Sequence, residues 1–177
     1  MRARYALAHD LGMNLEQEPQ RVLVAGVGGV LGRRLVPALV AEGHSVLRPD
    51  SLDPGAVVAA VRASRPTVVV HAATAIPVTC RLMAAAERYG VQRVVALSLA
   101  ADVDAAAAVE DVVMSARQVQ GVVLRCGPRV GVDRAIRAAL DAVAHGWGVV
   151  DLAGDGPARA LPNGFARRVE SPRGGAR

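Results

Sequence analysis

The chain has 177 residues, a formal net charge of +5 and a hydrophobic content of 52%. This length favours a single domain and is sufficient to bury about 70% of the unfolded surface. All 21 basic residues are arginines, and they are scattered along the chain, while aromatic residues make up only 2%. Nucleic-acid binding requires clustered basic residues beside aromatic side chains, so we expect no nucleic-acid partner.

The cysteine count and the hydropathy pattern exclude further classes of protein. Cys80 and Cys126 are too few for a disulfide framework and lack the spacing of a metal site, so we expect no bound metal. The sequence contains no apolar run long enough to cross a membrane and no cleavable leader. We therefore expect a cytoplasmic protein without membrane association, and we interpret residues 1–20 as a flexible leader before the folded domain.

The first strong pattern is a strand, a glycine turn and a helix. Residues 22–25 are apolar and predict a buried strand, Gly26-x-x-Gly29-x-x-Gly32 follows, and residues 33–42 have the apolar spacing of a helix. This order is typical of the first βαβ unit of a nucleotide-binding fold, in which backbone N–H groups at the helix N-terminus bind phosphate. The alternative is a tight turn without a ligand. The candidate diphosphate-binding residues are Gly26, Gly28, Gly29, Val30, Leu31 and Gly32.

The second strand is predicted at residues 45–48, and the loop after it carries two acidic residues. Asp50 lies 24 positions beyond Gly26, near the offset of an acid that binds the adenosine ribose. Arg48 instead favours binding of NADP, which carries a 2′-phosphate on this ribose. A plain polar turn is a third interpretation of the loop. Asp53 is predicted to cap a helix over residues 55–63 and is also a candidate cofactor-binding residue.

The third strand is predicted at residues 67–73, where a run of β-branched residues indicates burial on both faces of the sheet. Its end should lie beside the glycine turn, so that His71, Ala72 and Ala73 are candidates for cofactor contact. The residue pattern favours a packed or hydrogen-bonded role for His71 over a catalytic one.

The remaining elements continue the alternation of helices and strands. Helices are predicted over residues 77–89, 104–118 and 134–144, the last capped by Asp133, and strands over residues 92–98, 121–125 and 148–152. Ser98 is placed at the functional end of its strand. From residue 157 the Pro-, Gly- and Arg-rich sequence predicts a disordered tail, so that the domain extends over residues 21–156.

Several segments in this order resemble the extended short-chain dehydrogenase/reductases, in particular the NAD-dependent epimerase/dehydratase and sugar-nucleotide reductase group. The cofactor loop at residues 22–32, the third strand at 66–73, the strand at 90–98 and the LRCGPRVG turn at 124–131 carry the resemblance. It implies an α/β fold with a Rossmann-like doubly wound parallel sheet of about five to six strands, and NAD or NADP as the cofactor. It also implies that Ser98 is the catalytic serine, and the alternative is a strand-end hydroxyl without a catalytic role.

The chain departs from the family in its catalytic residues. The family uses a Tyr-x-x-x-Lys pair on the helix after the serine-bearing strand, but this chain has no lysine, and its tyrosines are Tyr5 and Tyr89. The substrate lobe is also largely absent from the sequence. Two functions therefore remain open: a divergent oxidoreductase or epimerase acting on a small carbonyl or sugar-nucleotide substrate, or a non-catalytic dinucleotide-binding sensor or partner subunit. Homo- or hetero-oligomerisation is a further expectation, because the missing lobe would leave an apolar surface.

Overall fold

The computed structural model describes residues 18–26, 29–49, 51, 53–71, 76–99, 103–127, 129–145, 148–152 and 159–160. Within these ranges no helix has the combination of length and hydrophobicity that a membrane crossing requires. Of the predicted site residues, Gly28, Asp50, Ala72 and Ala73 lie outside the described ranges, as does almost all of the predicted leader.

The described residues form one sheet of seven strands in the order β2-β1-β3-β4-β5-β6-β7. Six strands are parallel, and β7 pairs antiparallel to β6. The strands are β1 (Arg21–Ala25), β2 (Ser45–Leu47), β3 (Val68–His71), β4 (Arg93–Leu99), β5 (Gln120–Cys126), β6 (Gly148–Asp151) and β7 (Arg159–Ala160). The predicted parallel α/β sheet is confirmed.

Five helices connect the parallel strands in the described part of the chain. They are α1 (Val30–Ala41), α2 (Pro54–Ser64), α3 (Ile76–Tyr89), α4 (Val103–Met114) and α5 (Val132–Ala144). The side chains of α1 and α5 pack on one face of the sheet with Val22, Val24 and the matching alternate residues of the other strands. Those of α2, α3 and α4 pack on the opposite face with Leu23 and Val69. This two-sided core explains the continuous apolar runs of the central strands.

Three local predictions are corrected by the structure. Helix α4 ends at Met114 rather than at residue 118, because the chain must turn through Ser115–Val119 before Gln120 enters the sheet and donates its backbone N–H to the Gln92 carbonyl (2.9 Å). Helix α5 is capped by Gly131, not by Asp133, which lies inside the first turn and pairs with Arg34 (2.5 Å). The predicted disordered tail includes Arg159 and Ala160, which pair with the free edge of β6.

The order of the strands reverses between β1 and β3. From β1 the chain crosses to β2 on one side, and from β2 it returns across β1 to β3 on the other. Parallel sheets bind ligands beyond the carboxyl ends of the strands at such a point, because the two connections leave in opposite directions and open a crevice. The fold therefore places the crevice directly above the glycine turn that follows β1.

Candidate functional site

The turn between β1 and α1 requires glycine at its first position. Gly26 is buried and has a φ of +99°, a conformation that is unfavourable for residues with a side chain. Its carbonyl oxygen accepts a hydrogen bond from the N–H of Gly29 (3.3 Å). This bond closes the turn and directs the chain into α1 immediately above the end of β1.

The N-terminus of α1 has no side-chain cap. Gly29 is the N-cap residue, no side chain accepts a hydrogen bond there, and the first turn contains no acidic residue. The first N–H groups of a helix have no acceptor within the helix, and the helix dipole makes this end positive. The N–H groups of Val30, Leu31 and Gly32 are therefore suited to bind an anion.

Gly29 differs from Gly26 in that the protein itself leaves space for a side chain. A Cβ atom built on Gly29 would have Gly26 O, at 3.8 Å, as its nearest neighbour, and the φ of −77° is open to any residue. Neither local packing nor backbone strain therefore requires glycine at this position. Bare backbone here instead allows a ligand to approach the helix N-terminus closely.

Two exposed apolar side chains lie at the same edge of the sheet. Val30, at the start of α1, is 56% exposed, and Ile76, at the start of α3, is 37% exposed. These two helices follow β1 and β3, the strands on either side of the crevice. An apolar rim beside an anion-binding helix end suits a ligand that combines phosphate with flat rings.

His71 ends β3 and is completely buried. Its Nε2 atom is 2.8 Å from Oγ1 of Thr79 on α3, and its Nδ1 atom has no hydrogen-bond partner among the described residues. Burial lowers the pKa of His71 to about 4, so the imidazole is neutral near pH 7. These observations agree with the predicted packed, hydrogen-bonded role of His71, while its contact with a cofactor stays a prediction.

In the described part of the loop after β2, Arg48 carries an exposed positive charge, and the carboxylate of Asp53 caps α2. Arg48 is exposed and directly follows β2. Oδ2 of Asp53 accepts hydrogen bonds from the N–H groups of Gly55 (2.8 Å) and Ala56 (3.2 Å), which confirms the predicted helix cap. Its additional role in cofactor binding stays a prediction, because this oxygen already binds the helix.

Ser98 lies near the end of β4 and is 2% exposed, and its hydroxyl makes no hydrogen bond to another described residue. It is in register with Arg125 on β5, which in turn is in register with Asp151 on β6. Successive side chains of a strand lie on opposite faces of the sheet, and the residues next to these three pack in the core on the α1 side. All three residues therefore belong to the opposite face, which α4 covers. The structure therefore places the candidate serine beside a row of charged side chains.

Arg125 forms an ion pair with Glu110 of α4, and no motif in the sequence joins these two residues. The guanidinium donates through Nε to Oε1 (2.6 Å) and through Nη2 to Oε2 (2.5 Å), and Glu110 is only 8% exposed. The hydrogen bonds that Arg125 donates to Glu110 hold the pKa of Arg125 above its ordinary value. A charged residue near the end of a buried β-strand indicates that an ion-pair partner lies nearby. The sequence does not identify this partner, because the contact depends on how α4 packs on the sheet.

The helix that follows the serine-bearing strand lacks the Tyr-x-x-x-Lys pair of the enzymes that the sequence resembles. Helix α4 carries neither tyrosine nor lysine, and the positions nearest its N-terminus are mostly alanine. In the described ranges, no cluster of three or more histidine, cysteine, aspartate or glutamate side chains has the arrangement of a metal site. Among the described residues, the candidate site thus combines an uncapped helix N-terminus with the hydroxyl of Ser98.

Known proteins share parts of this sequence and this fold. No family model matches the chain. The curated 3-diazoavenalumate denitrifying reductase of a Streptomyces species is 37% identical over 115 residues, a match that covers 45% of this chain and 38% of that enzyme. The match thus spans well under half of the length of that relative.

Solved structures extend the similarity to the fold. The Bordetella bronchiseptica enzyme WbmH, solved in complex with NAD+, has a TM-score of 0.64 at 16% identity, with 76% of each chain covered. The Thermus thermophilus UDP-glucose 4-epimerase in complex with NAD has a TM-score of 0.61 at 19% identity, with 78% of this chain and 79% of that chain covered. The chain therefore has the Rossmann-like α/β fold of these enzymes, which confirms the predicted fold class.

Proposed function

We propose that the chain binds NAD or NADP in the crevice between β1 and β3, with the diphosphate at the N-terminus of α1. The observation that carries this proposal is the uncapped N-terminus of α1 behind a glycine turn, at the point where the strand order reverses. Backbone amides and the helix dipole together favour an anion at this position. The two solved neighbours that were crystallised with NAD support the choice of ligand.

Several residues around the proposed crevice support the binding of the cofactor there. Gly26 forms the turn, Gly29 leaves the approach open, and the N–H groups of the first turn of α1 face the diphosphate. Val30 and Ile76 offer apolar surface on which the rings of the cofactor can pack. Gly28, Ala72 and Ala73 complete this set as proposed contacts.

For the reaction, we propose a divergent oxidoreductase or epimerase that acts on a small carbonyl or sugar-nucleotide substrate. The nicotinamide ring, when bound, supplies or accepts the hydride. The hydroxyl of Ser98 makes no hydrogen bond within the described residues and can donate one to a substrate carbonyl. The reductase relative and the epimerase neighbour support this class of reaction.

A second candidate function is dinucleotide binding without catalysis, and His71 favours it. The imidazole is buried, its Nε2 atom is engaged by Thr79, and its low pKa keeps it unprotonated near pH 7. His71 therefore cannot replace the missing Tyr-x-x-x-Lys pair as a proton donor. In this function the protein would act as a sensor of the cofactor or as a partner subunit.

The first test is the substitution Gly29→Val with titration of NADH and NADPH. We expect binding to be lost, because the isopropyl group occupies the approach of the diphosphate, while the unfolding midpoint without ligand changes little. The matched control is Gly131→Val, since Gly131 is also an N-cap glycine with open space around its Cβ position. Equal loss of binding in both variants, or full binding by Gly29→Val, would contradict the proposed site.

The second test separates the two candidate functions once binding is measured. Purified protein is incubated with each reduced cofactor and a panel of simple carbonyls and sugar nucleotides, and cofactor oxidation is followed. A reductase should show turnover that decreases at least tenfold in Ser98→Ala while cofactor affinity is retained. Binding without turnover across the panel would favour the non-catalytic function.

A further inference from the structure

The ion pair between Arg125 and Glu110 uses only one edge of the guanidinium. Arg125 donates through Nε and Nη2 to the two carboxylate oxygens of Glu110 (2.6 and 2.5 Å). A guanidinium carries five N–H groups, so those on Nη1 and the second one on Nη2 have no hydrogen-bond partner among the described residues. Nη1 and Nη2 form a second pair of parallel donors, and the side chain is 36% exposed. This edge of Arg125 is therefore open to a ligand.

The contact with Glu110 keeps this second edge in a fixed orientation. The side chain of Glu110 is 10% exposed, and both of its carboxylate oxygens accept hydrogen bonds from Arg125. An arginine that is already held in one orientation loses less conformational entropy when it binds an anion. Paired N–H donors match the geometry of a carboxylate, which can accept both hydrogen bonds at once. The open edge of Arg125 is thus preorganised for a carboxylate.

Ser98 lies next to Arg125 on the neighbouring strand. The two residues are in register on strands about 4.8 Å apart, and their side chains lie on the same face of the sheet. The hydroxyl of Ser98 is buried and makes no hydrogen bond to another described residue. Asp151 is in register with Arg125 on the other side, in β6. Arg125 thus separates Ser98 from the acid of this row, and a ligand at Ser98 adjoins the guanidinium first.

On the basis of the proposed reaction, we propose that the substrate is a 2-oxo acid, whose carboxylate binds to Nη1 and Nη2 of Arg125 while its carbonyl oxygen accepts a hydrogen bond from Ser98. The two groups of a 2-oxo acid are on adjacent carbon atoms, which suits two donors on adjacent strands. Reduction adds a hydride from the reduced cofactor to the carbonyl carbon and a proton from solvent to its oxygen, and gives a 2-hydroxy acid and the oxidised cofactor. Glu110 acts as a positioning residue for Arg125.

The test compares phenylglyoxylate with its methyl ester, which has the same ketone but no charge. With reduced cofactor, the intact chain should show a KM for the acid at least tenfold below that for the ester. Arg125→Met should raise the KM for the acid at least tenfold and change that for the ester less than twofold, because only the acid carries the carboxylate. Arg34→Ala, which breaks an ion pair on the surface, is the matched control and should behave as the intact chain does.

A double variant separates binding from the structural role of the ion pair. Arg125→Met alone leaves the carboxylate of Glu110 without its partner, so the combination of Arg125→Met with Glu110→Leu is measured as well. The double variant should lose the preference for the acid to the same extent. Retention of the preference in the double variant would overturn the role proposed for Arg125.

Calorimetric titration of phenylglyoxylate into the protein with oxidised cofactor gives a readout that does not depend on turnover. Binding should weaken at least tenfold in Arg125→Met. Equal KM values for the acid and the ester in the intact chain would overturn the 2-oxo acid assignment and leave the proposed reaction standing, since the ester is still reduced. Reduction of neither compound, together with calorimetric binding that depends on Arg125, would reject the proposed reaction and support the carboxylate site. Absence of calorimetric binding by the intact chain would overturn that site.

Discussion

At the scale of single residues, the buried imidazole of His71 couples folding to pH. The folded protein holds the pKa of His71 at about 4 through burial, compared with 6.5 for an exposed histidine. Between these two pH values the unfolded chain binds a proton that the folded chain excludes. The free energy of unfolding therefore decreases as the pH falls from 7 towards 4.

We predict that His71→Gln removes this part of the pH dependence. The amide of glutamine can keep a hydrogen bond to Thr79 but does not titrate in this range. The loss of unfolding free energy between pH 7 and pH 5, measured by urea denaturation, should be smaller in the variant by about 2 kcal/mol. The same substitution at the exposed His145 is the control. An equal change in both variants would contradict the assignment to His71.

Some site residues were predictable from sequence because their role depends on local geometry. Gly26 and Gly29 follow an apolar strand at a spacing that only a tight turn into a helix satisfies, and the structure confirms this turn. The ion pair between Arg125 and Glu110 was not predictable. Its partners are 15 residues apart on different elements, and their contact depends on how α4 crosses β5.

At the scale of elements, the N-cap of α2 stabilises the folded protein through the hydrogen bonds that the Asp53 carboxylate accepts. We predict that Asp53→Ala lowers the free energy of unfolding by about 1 kcal/mol, because the N–H groups of Gly55 and Ala56 lose their acceptor. Asp53→Asn should retain most of the stability, since asparagine also caps helices. Thermal or urea denaturation of the three proteins provides the measurement.

Asp133→Ala is the matched control for this prediction. The sequence predicted a cap at Asp133, but the structure places it in the first turn of α5, with its carboxylate on Arg34 at an exposed position. Exposed ion pairs contribute little to stability, so we expect a change of about 0.5 kcal/mol or less. A loss equal to that of Asp53→Ala would show that Asp133 does act as the cap.

The ends of the helices were predicted less well than their existence. The apolar spacing of each helix is a property of its own sequence, and all five predicted helices are present. Where α4 ends depends on the register of β5 with β4, because the turn must deliver Gln120 opposite Arg93. That register is fixed by contacts across the sheet, which the local sequence does not encode.

At the scale of the whole molecule, one sheet supports both halves of the core. Leu39 of α1 and Leu82 of α3 are completely buried on opposite faces. We predict that Leu39→Ala and Leu82→Ala each lower the free energy of unfolding by about 2–5 kcal/mol in one cooperative transition, because each strand contributes side chains to both faces. Calorimetry and circular dichroism should give coincident transitions. Two separate transitions in either variant would contradict a shared core.

The parallel order of the sheet was predictable because each βαβ crossover constrains the next. The seventh strand was not, since Arg159 and Ala160 have no strand signal of their own. They pair with β6 because the edge of that strand offers unpaired backbone N–H and C=O groups. The surrounding sequence is rich in proline, glycine and arginine, and this composition predicted disorder rather than a strand. The short edge strands β2 and β7 also limit the backbone that is open to another chain.

The contact between α4 and β5 has a consequence for how a substrate could enter. A Cβ atom on Gly121 would lie 2.6 Å from the carbonyl oxygen of Val113, so the last turn of α4 rests directly on the strand backbone. The pair between Glu110 and Arg125 holds the same helix one turn earlier. These two contacts hold α4 against β5, on the face of the sheet that also carries Ser98. A molecule that approached this hydroxyl from the α4 side would therefore meet a helix that is joined to β5 at two points.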